Sequence, residues 1–356
     1  MSRWDSRSIV NSTVTNSLSK ANKNAEDTLS LINTLLVGGG RMGSAHLEGI
    51  AKTPDLASVT AVVEPYQASH QRLRETYGID HLHVDLASAL AAEAVDAVFI
   101  CTPNNLHAEY ALQSLRAGKH VFVEKPLALT VADADEMVRT AAAQDRLLMS
   151  GQTLRFAPRI RQVKQLLDEG CVGTVRHIVH RRMSPGRGGD EASWFARQEA
   201  SGGILPGIGS HSLDAILWWL GDRAVSVYAA VANIDPHPEV DIEDEASLVA
   251  TTARGVMINV AFSFHHKVGY EWIIAGTEGV LHLSSTGGAL LLDGESVPPV
   301  ESVNLPGESD IHREFFSAIR ENRPLAQAAG VDVRHSVALV CAAQESGRTG
   351  QAVTVD

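Results

Sequence analysis

Thr34-Leu35-Leu36-Val37-Gly38-Gly39-Gly40-Arg41-Met42-Gly43 is the stretch that decides the fold. A short apolar run from Thr34 to Val37 reads as a buried strand, and the glycines follow it without a spacer. Gly38, Gly40 and Gly43 occupy the three positions of G-x-G-x-x-G, with a helix opening near Met42. The first glycine allows the tight turn, the second lets backbone approach a pyrophosphate, and the third brings helix and strand close together. Free N–H groups at the helix start then face the phosphates. The pattern alone is weak, but the next apolar run, Val59 to Val63, ends on Glu64. A carboxylate there accepts hydrogen bonds from the adenosine ribose and repels a 2′-phosphate, which favours NAD over NADP. Arg41, as a partner for Glu64 or for a phosphate, leaves room for NADP, and an ordinary solvated glutamate is the plain alternative.

Outward from this stretch, strands alternate with helical segments, which predicts parallel βαβ units. Strands are expected at Thr34–Val37, Val59–Val63, Ala97–Cys101, His120–Val123 and Leu147–Ser150, with helices opening near Met42, Tyr66, Asn105 and Val131. Thr130 and Asp133 stand at capping-box spacing before the last of these. The result is an N-terminal Rossmann-like, doubly wound parallel sheet over 31–152. The remainder, 153–356, reads as a C-terminal α/β domain with a large open, mainly antiparallel sheet. Its runs are Val225–Asn233, Ser247–Thr252, Val256–Phe264, Tyr270–Ala275 and Val280–Leu283. Helices are expected over Ser212–Leu220, stopped by Gly221, and over Val331–Ser346. Residues 1–30, rich in Ser, Thr and Asn, read as a disordered or flexible tail. A signal peptide lacks its apolar stretch there, and a mitochondrial presequence is matched only in part by Arg3 and Arg7.

The charge balance narrows the partners. A formal net charge of -12, with no Lys/Arg run, opposes attraction to nucleic acid or anionic lipid. Three cysteines, Cys101, Cys171 and Cys341, lie far apart without a CxxC, so no disulfide framework is expected and a cytoplasmic location fits. No zinc site is expected, because His81 and His83 have no nearby carboxylate or thiolate in the sequence. Apolar runs fall well short of the ~20 residues that a membrane span needs.

Two further segments stand at consecutive expected strand ends, Cys101-Thr102-Pro103-Asn104-Asn105-Leu106-His107 and Val123-Glu124-Lys125-Pro126. With the glycine turn, they resemble the Gfo/Idh/MocA (glucose-fructose oxidoreductase / inositol dehydrogenase) family. The likeness continues through Leu154-Arg155-Phe156-Ala157-Pro158, Gly202-Gly203 ahead of His211, and Ala275-Gly276-Thr277-Glu278-Gly279. It implies an active site between the two domains, a small polyol or sugar substrate, and a homodimer or homotetramer built through the C-terminal sheet. It also implies that Thr102, Asn104 and His107 contact the cofactor, that Glu124 and Gln152 hold the nicotinamide ribose region, and that Pro126 is cis and aims Lys125 into the cleft.

Oxidising a secondary alcohol requires a base, a cationic donor for the developing alkoxide, and a carbon held near the nicotinamide. Lys125 supplies the donor. His211 is the candidate base, placed at the start of the Ser212–Leu220 helix, where the macrodipole disfavours imidazolium. Asp214, three residues on, either orients His211 or is only a first-turn acid. Gly207 stands where many members of the family carry aspartate, so one hydroxyl contact or relay member is missing. Trp194 as a stacking surface, and Arg155, Arg197, Tyr270, His265 and His266 as polar contacts, complete the cleft candidates, with packing or surface roles as the alternative for each. The reading that follows is an NAD-dependent dehydrogenase of a sugar, glycoside or cyclitol. A cyclic dihydrodiol dehydrogenase or reductase and a non-catalytic dinucleotide-binding regulator are the alternatives.

Overall fold

Short apolar strands alternate with amphipathic helices through the first half of the chain, in a computed structural model that describes residues 30–184, 193–265, 268–285, 288–300 and 302–356. The expected tail, apart from residue 30, and His266 lie outside the described residues. The elements run β1 Ile32–Val37, α1 Arg41–Ile50, β2 Ala57–Val63, α2 His70–Tyr77, β3 His81–His83, α3 Leu86–Ala92, β4 Ala97–Ile100, α4 His107–Arg116, β5 His120–Val123, α5 Val131–Ala143 and β6 Leu148–Ser150. The six strands form one parallel sheet in the order β3-β2-β1-β4-β5-β6. Its central strands are buried on both faces, which is why Leu35, Val98 and Phe122 belong to near-continuous apolar runs. Strand order reverses between β1 and β4, the switch point outside whose C-terminal ends open α/β sheets bind their ligands. β3 and α3 were not expected from the sequence. His81-Leu82-His83 is a three-residue polar edge strand with too little apolar signal to stand out.

The second half follows as α6 Pro158–Asp168, β7 Val175–Met183, α7 Gln198–Ser201, α8 Ser210–Leu220, β8 Ala224–Ala232, β9 Glu245–Thr252, β10 Met257–Ser263, β11 Gly269–Gly276, β12 Val280–Ser284, β13 Leu290–Leu292, β14 Glu295–Ser296, α9 Ile311–Arg320, α10 Gly330–Thr349 and β15 Val353–Thr354. These strands form one sheet in the order β14-β13-β12-β11-β7-β10-β9-β8-β15, antiparallel except where β7 runs parallel to β10. The inner strand β7 escaped the sequence reading. Val175-Arg176-His177-Ile178-Val179-His180-Arg181-Arg182-Met183 places basic residues on both faces and hides the alternation. The inward row is Ile178, His180 and Arg182; the outward row is His177, Val179 and Arg181.

The inner face of this sheet packs beneath α8 and α10, where Trp272, Phe262, Leu213 and Leu339 share one core. The C-terminal helices also return to the first sheet. Phe315 and Phe316 of α9 pack on Phe99 at ring separations of 5.4 and 5.6 Å, and Val333 and Val337 of α10 join the same core. α10 therefore feeds both cores, and Ile32–Asp356 forms one compact unit. Among the described residues no helix is long and apolar enough to cross a membrane, and the three cysteines are unpaired.

Candidate active site

The glycine turn has the shape its sequence demanded. Gly38 has a φ of +95°, and a Cβ there would lie 2.6 Å from the Cys101 carbonyl oxygen. A Cβ on Gly43 would overlap the Gly38 carbonyl, so the helix can approach the strand only without one. Gly40 faces open space and caps α1 with no side-chain hydrogen bond, leaving the helix N–H groups to a ligand. Arg41 and Met42 follow it in the first turn. Glu64 is buried, its Oε2 accepting from Gly39 N at 2.9 Å and its Oε1 from Tyr66 N at 2.9 Å. It tethers the turn and does not pair with Arg41. Arg72, which the sequence did not flag, donates to the Gly39 carbonyl and to Ser44 Oγ and braces the turn from α2. The buried Thr102 Oγ1 has no hydrogen-bond partner among the described residues. An uncapped helix start, an open glycine and an orphaned hydroxyl fit a dinucleotide, which Gly38–Gly43, Glu64 and Thr102 would hold.

Asn104 and His107, expected at the cofactor, also make bonds within the protein. Asn104 is buried and donates through Nδ2 to the Ser201 carbonyl at 2.7 Å. His107, fully buried, has Nδ1 2.7 Å from the Pro126 carbonyl and Nε2 3.1 Å from the Thr102 carbonyl. Burial lowers its pKa, and a neutral imidazole has one N–H, so the shorter bond to Pro126 is the hydrogen bond. Both residues are struts that fix the two loops, which is why their side chains are turned inward.

Glu124 and Lys125 leave the end of β5, and the Lys125–Pro126 bond is cis. Glu124 Oε2 accepts from the Lys125 N–H at 3.0 Å and Oε1 bonds His46 Nε2 at 2.7 Å. His46 Nδ1 in turn lies 2.9 Å from His312 Nε2 of α9, so a buried chain runs from the cleft into the first core. Burial opposes the Glu124 charge, but the His46 bond and the positive charge of Lys125 overcome it and bring its pKa down to about 2. Lys125 reaches across to donate from Nζ to the Gly207 carbonyl at 2.7 Å. Burial, with Arg182 and Arg41 nearby, lowers its pKa to about 8 against the pull of Glu124.

Gly207 belongs to a π-helical turn, Leu205–Gly209, that runs directly into α8. His211 therefore sits inside a continuous helical segment, not at a free N-terminus, and the macrodipole does not set its titration. Burial and the charges of Lys125 and Arg182 push its pKa well below 6.5. Its Nδ1 lies 3.2 Å from Oε1 of the buried Gln152, so the N–H points at Gln152 and the Nε2 lone pair is left to accept a proton. His180 braces this turn from below. Its Nδ1–H donates to the Glu271 carbonyl at 2.9 Å, Nε2 accepts from Ser212 Oγ at 2.8 Å, and its ring stacks on Trp272 at 3.5 Å.

Asp214 neither orients His211 nor faces the same space. Both of its oxygens take Arg155, Nε to Oδ2 and Nη2 to Oδ1 at 2.8 Å each, and Ser336 Oγ adds a 3.3 Å contact. Arg155 and Asp214 are 4% and 1% exposed, so this is a buried bidentate pair joining the end of the first sheet to α8 and α10, not a catalytic acid beside a substrate-binding arginine. Trp194 and Arg197 are exposed, and Trp194 packs edge-on to Phe195. His265 pairs with the buried Asp244 at 2.9 Å. His81 and His83 do meet a carboxylate, Glu93, which accepts from both; no metal-holding group is found among the described residues. Tyr270 lies in register with Arg182 on the inner face. Arg182 and His180 were missed because their strand was missed, and His46 and His312 because only the packing of α9 on the first sheet brings them together. The ring of Phe195 fills the space beside Gly207, with Cζ 2.8 Å from where a Cβ would stand.

Residues 32–152 match the family model described as "Oxidoreductase family, NAD-binding Rossmann fold", and residues 160–282 match the GFO/IDH/MocA C-terminal domain. A 1,5-anhydro-D-fructose reductase of Ensifer adhaerens is 32% identical over 279 residues, covering 74% of this chain and 80% of that protein. An inositol 2-dehydrogenase of Rhizobium meliloti is 27% identical over 323 residues, covering 87% and 95%. Among solved structures, the WlbA dehydrogenase of Bordetella pertussis in complex with NADH and UDP-GlcNAcA superposes with a TM-score of 0.81 at 22% identity, covering 92% and 99%, a likeness of fold. The class is thus that of NAD-binding oxidoreductases with a Rossmann fold. Within that class, the chain belongs to the Gfo/Idh/MocA family.

Asp214→Asn leaves the Arg155 guanidinium buried without its counter-charge and should cost roughly 3–5 kcal/mol of stability, read by thermal melting. A loss under about 1 kcal/mol would mean that the pair does not hold the segments together. Gly207→Asp should destabilise by roughly 1–3 kcal/mol through overlap with Phe195. Adding Phe195→Ala should recover at least about 1 kcal/mol, and strict additivity of the two changes would refute the steric account.

Proposed function

We propose that this protein transfers a hydride between NAD and a secondary alcohol carbon of a sugar, glycoside or cyclitol, with Lys125 as the cationic donor and His211 as the base. The observation that carries this reading is the meeting of Lys125 with the turn ahead of His211. The lysine ammonium is fixed on the Gly207 carbonyl, four residues before a histidine whose Nδ1 is occupied by Gln152 and whose Nε2 has no partner among the described residues. NAD supplies the hydride acceptor when bound. His211 Nε2 takes the hydroxyl proton, and Lys125, in a water-poor cleft, offsets charge on the oxygen as the C–H bond is given up. In the reverse direction the same two groups polarise a carbonyl and return the proton. Glu124 balances Lys125, and His46 and Gln152 are positioning residues. The buried Glu64 supports NAD over NADP, since a 2′-phosphate beside it meets a carboxylate. Phe195 over Gly207 supports the second reading, a cyclic dihydrodiol, because it offers an apolar wall in place of a hydroxyl acceptor.

The test is dinucleotide reduction against hexoses, glycosides, inositols and cis-dihydrodiols, with NAD and NADP, for the wild type and Lys125→Met. The substitution should lower kcat by about 100- to 1,000-fold with NADH affinity retained. Activity as kcat/KM should be flat through neutrality. It should fall above about pH 8, where Lys125 loses its proton, with the acidic limb below 6.5, where His211 gains one. Unchanged turnover of Lys125→Met would remove its role, and NAD binding without turnover on any substrate would favour the non-catalytic regulator.

We also propose a homodimer or homotetramer through the outer face of the second sheet. Val179, Asn259, Val249 and Tyr228 form a row across β7, β10, β9 and β8, and the three apolar members are 37, 44 and 50% exposed. Sedimentation of Tyr228→Arg should show dissociation relative to the wild type; a wild-type monomer would refute the assembly.

A further inference from the structure

We propose that Arg182 is an anion-binding residue of the active site and that the substrate carries a carboxylate, as in a hexuronate or another sugar acid, close to the hydroxyl that reacts. This deepens the dehydrogenase reading above and rests on it.

Arg182 ends the inward row of β7, after the fully buried Ile178 and the buried His180. Its neighbours in register are Phe262 on β10 and Tyr270 on β11, so it emerges half-buried between two aromatic residues on the face that carries α8. Its hydrogen bonding is nearly unspent. Among the described residues its one hydrogen-bond contact is Nη1 to the Ile208 carbonyl at 3.5 Å, the outer limit for such a bond. Among the described residues no carboxylate pairs with it. Arg181, the next residue back and on the opposite face, has Glu271 at 2.6 Å. A guanidinium offers five donors, and taking it partly out of water without a counter-charge is unfavourable unless a ligand supplies one.

The position says which ligand. Lys125 donates to the Gly207 carbonyl and Arg182 approaches the Ile208 carbonyl, consecutive groups of the same π-helical turn, with His211 four and three residues beyond them. The two cations therefore flank the proposed reacting centre. The carboxylate at hand, Glu124, has Oε1 on His46 and Oε2 on the Lys125 backbone, and Gly207 brings no charge of its own. Glu124 balances Lys125, and with Arg41 in the first turn of α1, where a pyrophosphate would lie, one unit of positive charge is left at Arg182. That matches a monoanion better than a phosphate ester of charge about −1.5 to −2, and a planar guanidinium fork suits a planar carboxylate. Burial is the main cause of the low Lys125 and His211 pKa values, and the smaller contribution of Arg182 to both agrees with a positive field that a bound anion would relieve.

The test compares kcat/KM with NAD for glucose against glucuronate, galactose against galacturonate, and glucose 6-phosphate, in wild type, Arg182→Gln and Arg182→Lys. The wild type should favour the uronates by at least about 10-fold. That preference should shrink by roughly 10- to 100-fold in Arg182→Gln, mostly in KM, and less in Arg182→Lys. In parallel, thermal melting of each NADH-loaded protein with glucuronate or glucose reads binding without turnover. Hexoses turned over as well as uronates, a preference for the phosphate ester, or a preference unmoved in Arg182→Gln would overturn the proposal while leaving the dehydrogenase intact. Protection by glucuronate alone, lost in Arg182→Gln, with no turnover of any sugar would keep the anion site and remove the dehydrogenase. Should Arg182→Gln not fold, the wild-type preference and Arg182→Lys still decide.

Discussion

A half-buried lysine ammonium must have an acceptor, and in this protein the acceptor is a backbone carbonyl 82 residues away. The bond from Lys125 to Gly207 joins the loop after β5 to the π-helical turn before α8, so it sets the distance between the first sheet and the helix that carries His211. Gly207 lies in a π-helical turn, a form often found at functional sites, and its carbonyl oxygen has a lone pair to offer the lysine beside any helical bond it makes. Glu124 is held ionised behind Lys125 by its bond to His46, and the ammonium is thereby compensated without losing its outward donors.

Charge is placed with a purpose throughout the interior. Where function does not need it, it is cancelled: Arg155 is locked on Asp214, and Arg323 on Glu314, whose side chain is fully buried. Around His211 burial, helped by a partial excess of cations, keeps the imidazole neutral and lowers Lys125 toward the range where proton traffic occurs. Buried pairs of the first kind add little net stability over apolar packing, but losing one member is costly, so they fix register between segments far apart in sequence.

The sequence showed most of the first sheet because its strands are buried on both faces and read as apolar runs, and because the glycine turn has a steric reason at each position. It singled out Lys125 through a motif at a strand end and His211 through the Gly202-Gly203 segment ahead of it, although the helix start read there lies inside a longer helical run. It did not show β7, whose basic residues mask the period of two, nor α9, and with them went Arg182, His180 and His312. It also joined Asp214 to His211 on helical spacing, whereas the side chain turned to Arg155, because spacing along one helix says which residues share a face and not what is packed against it.

What the sequence by itself determined is the local chemistry: a strand, a phosphate-sized glycine turn, an acid at the end of the next strand, a lysine just past a third, and a histidine within a helical run. Only the tertiary structure decided which charges are spent and which are free. That depends on contacts such as Arg155 with Asp214, 59 residues apart, and His46 with His312, 266 residues apart. No local pattern encodes such pairs, since they form when two cores pack through α10 and the desolvation of each charge forces it to find a partner or to await a ligand.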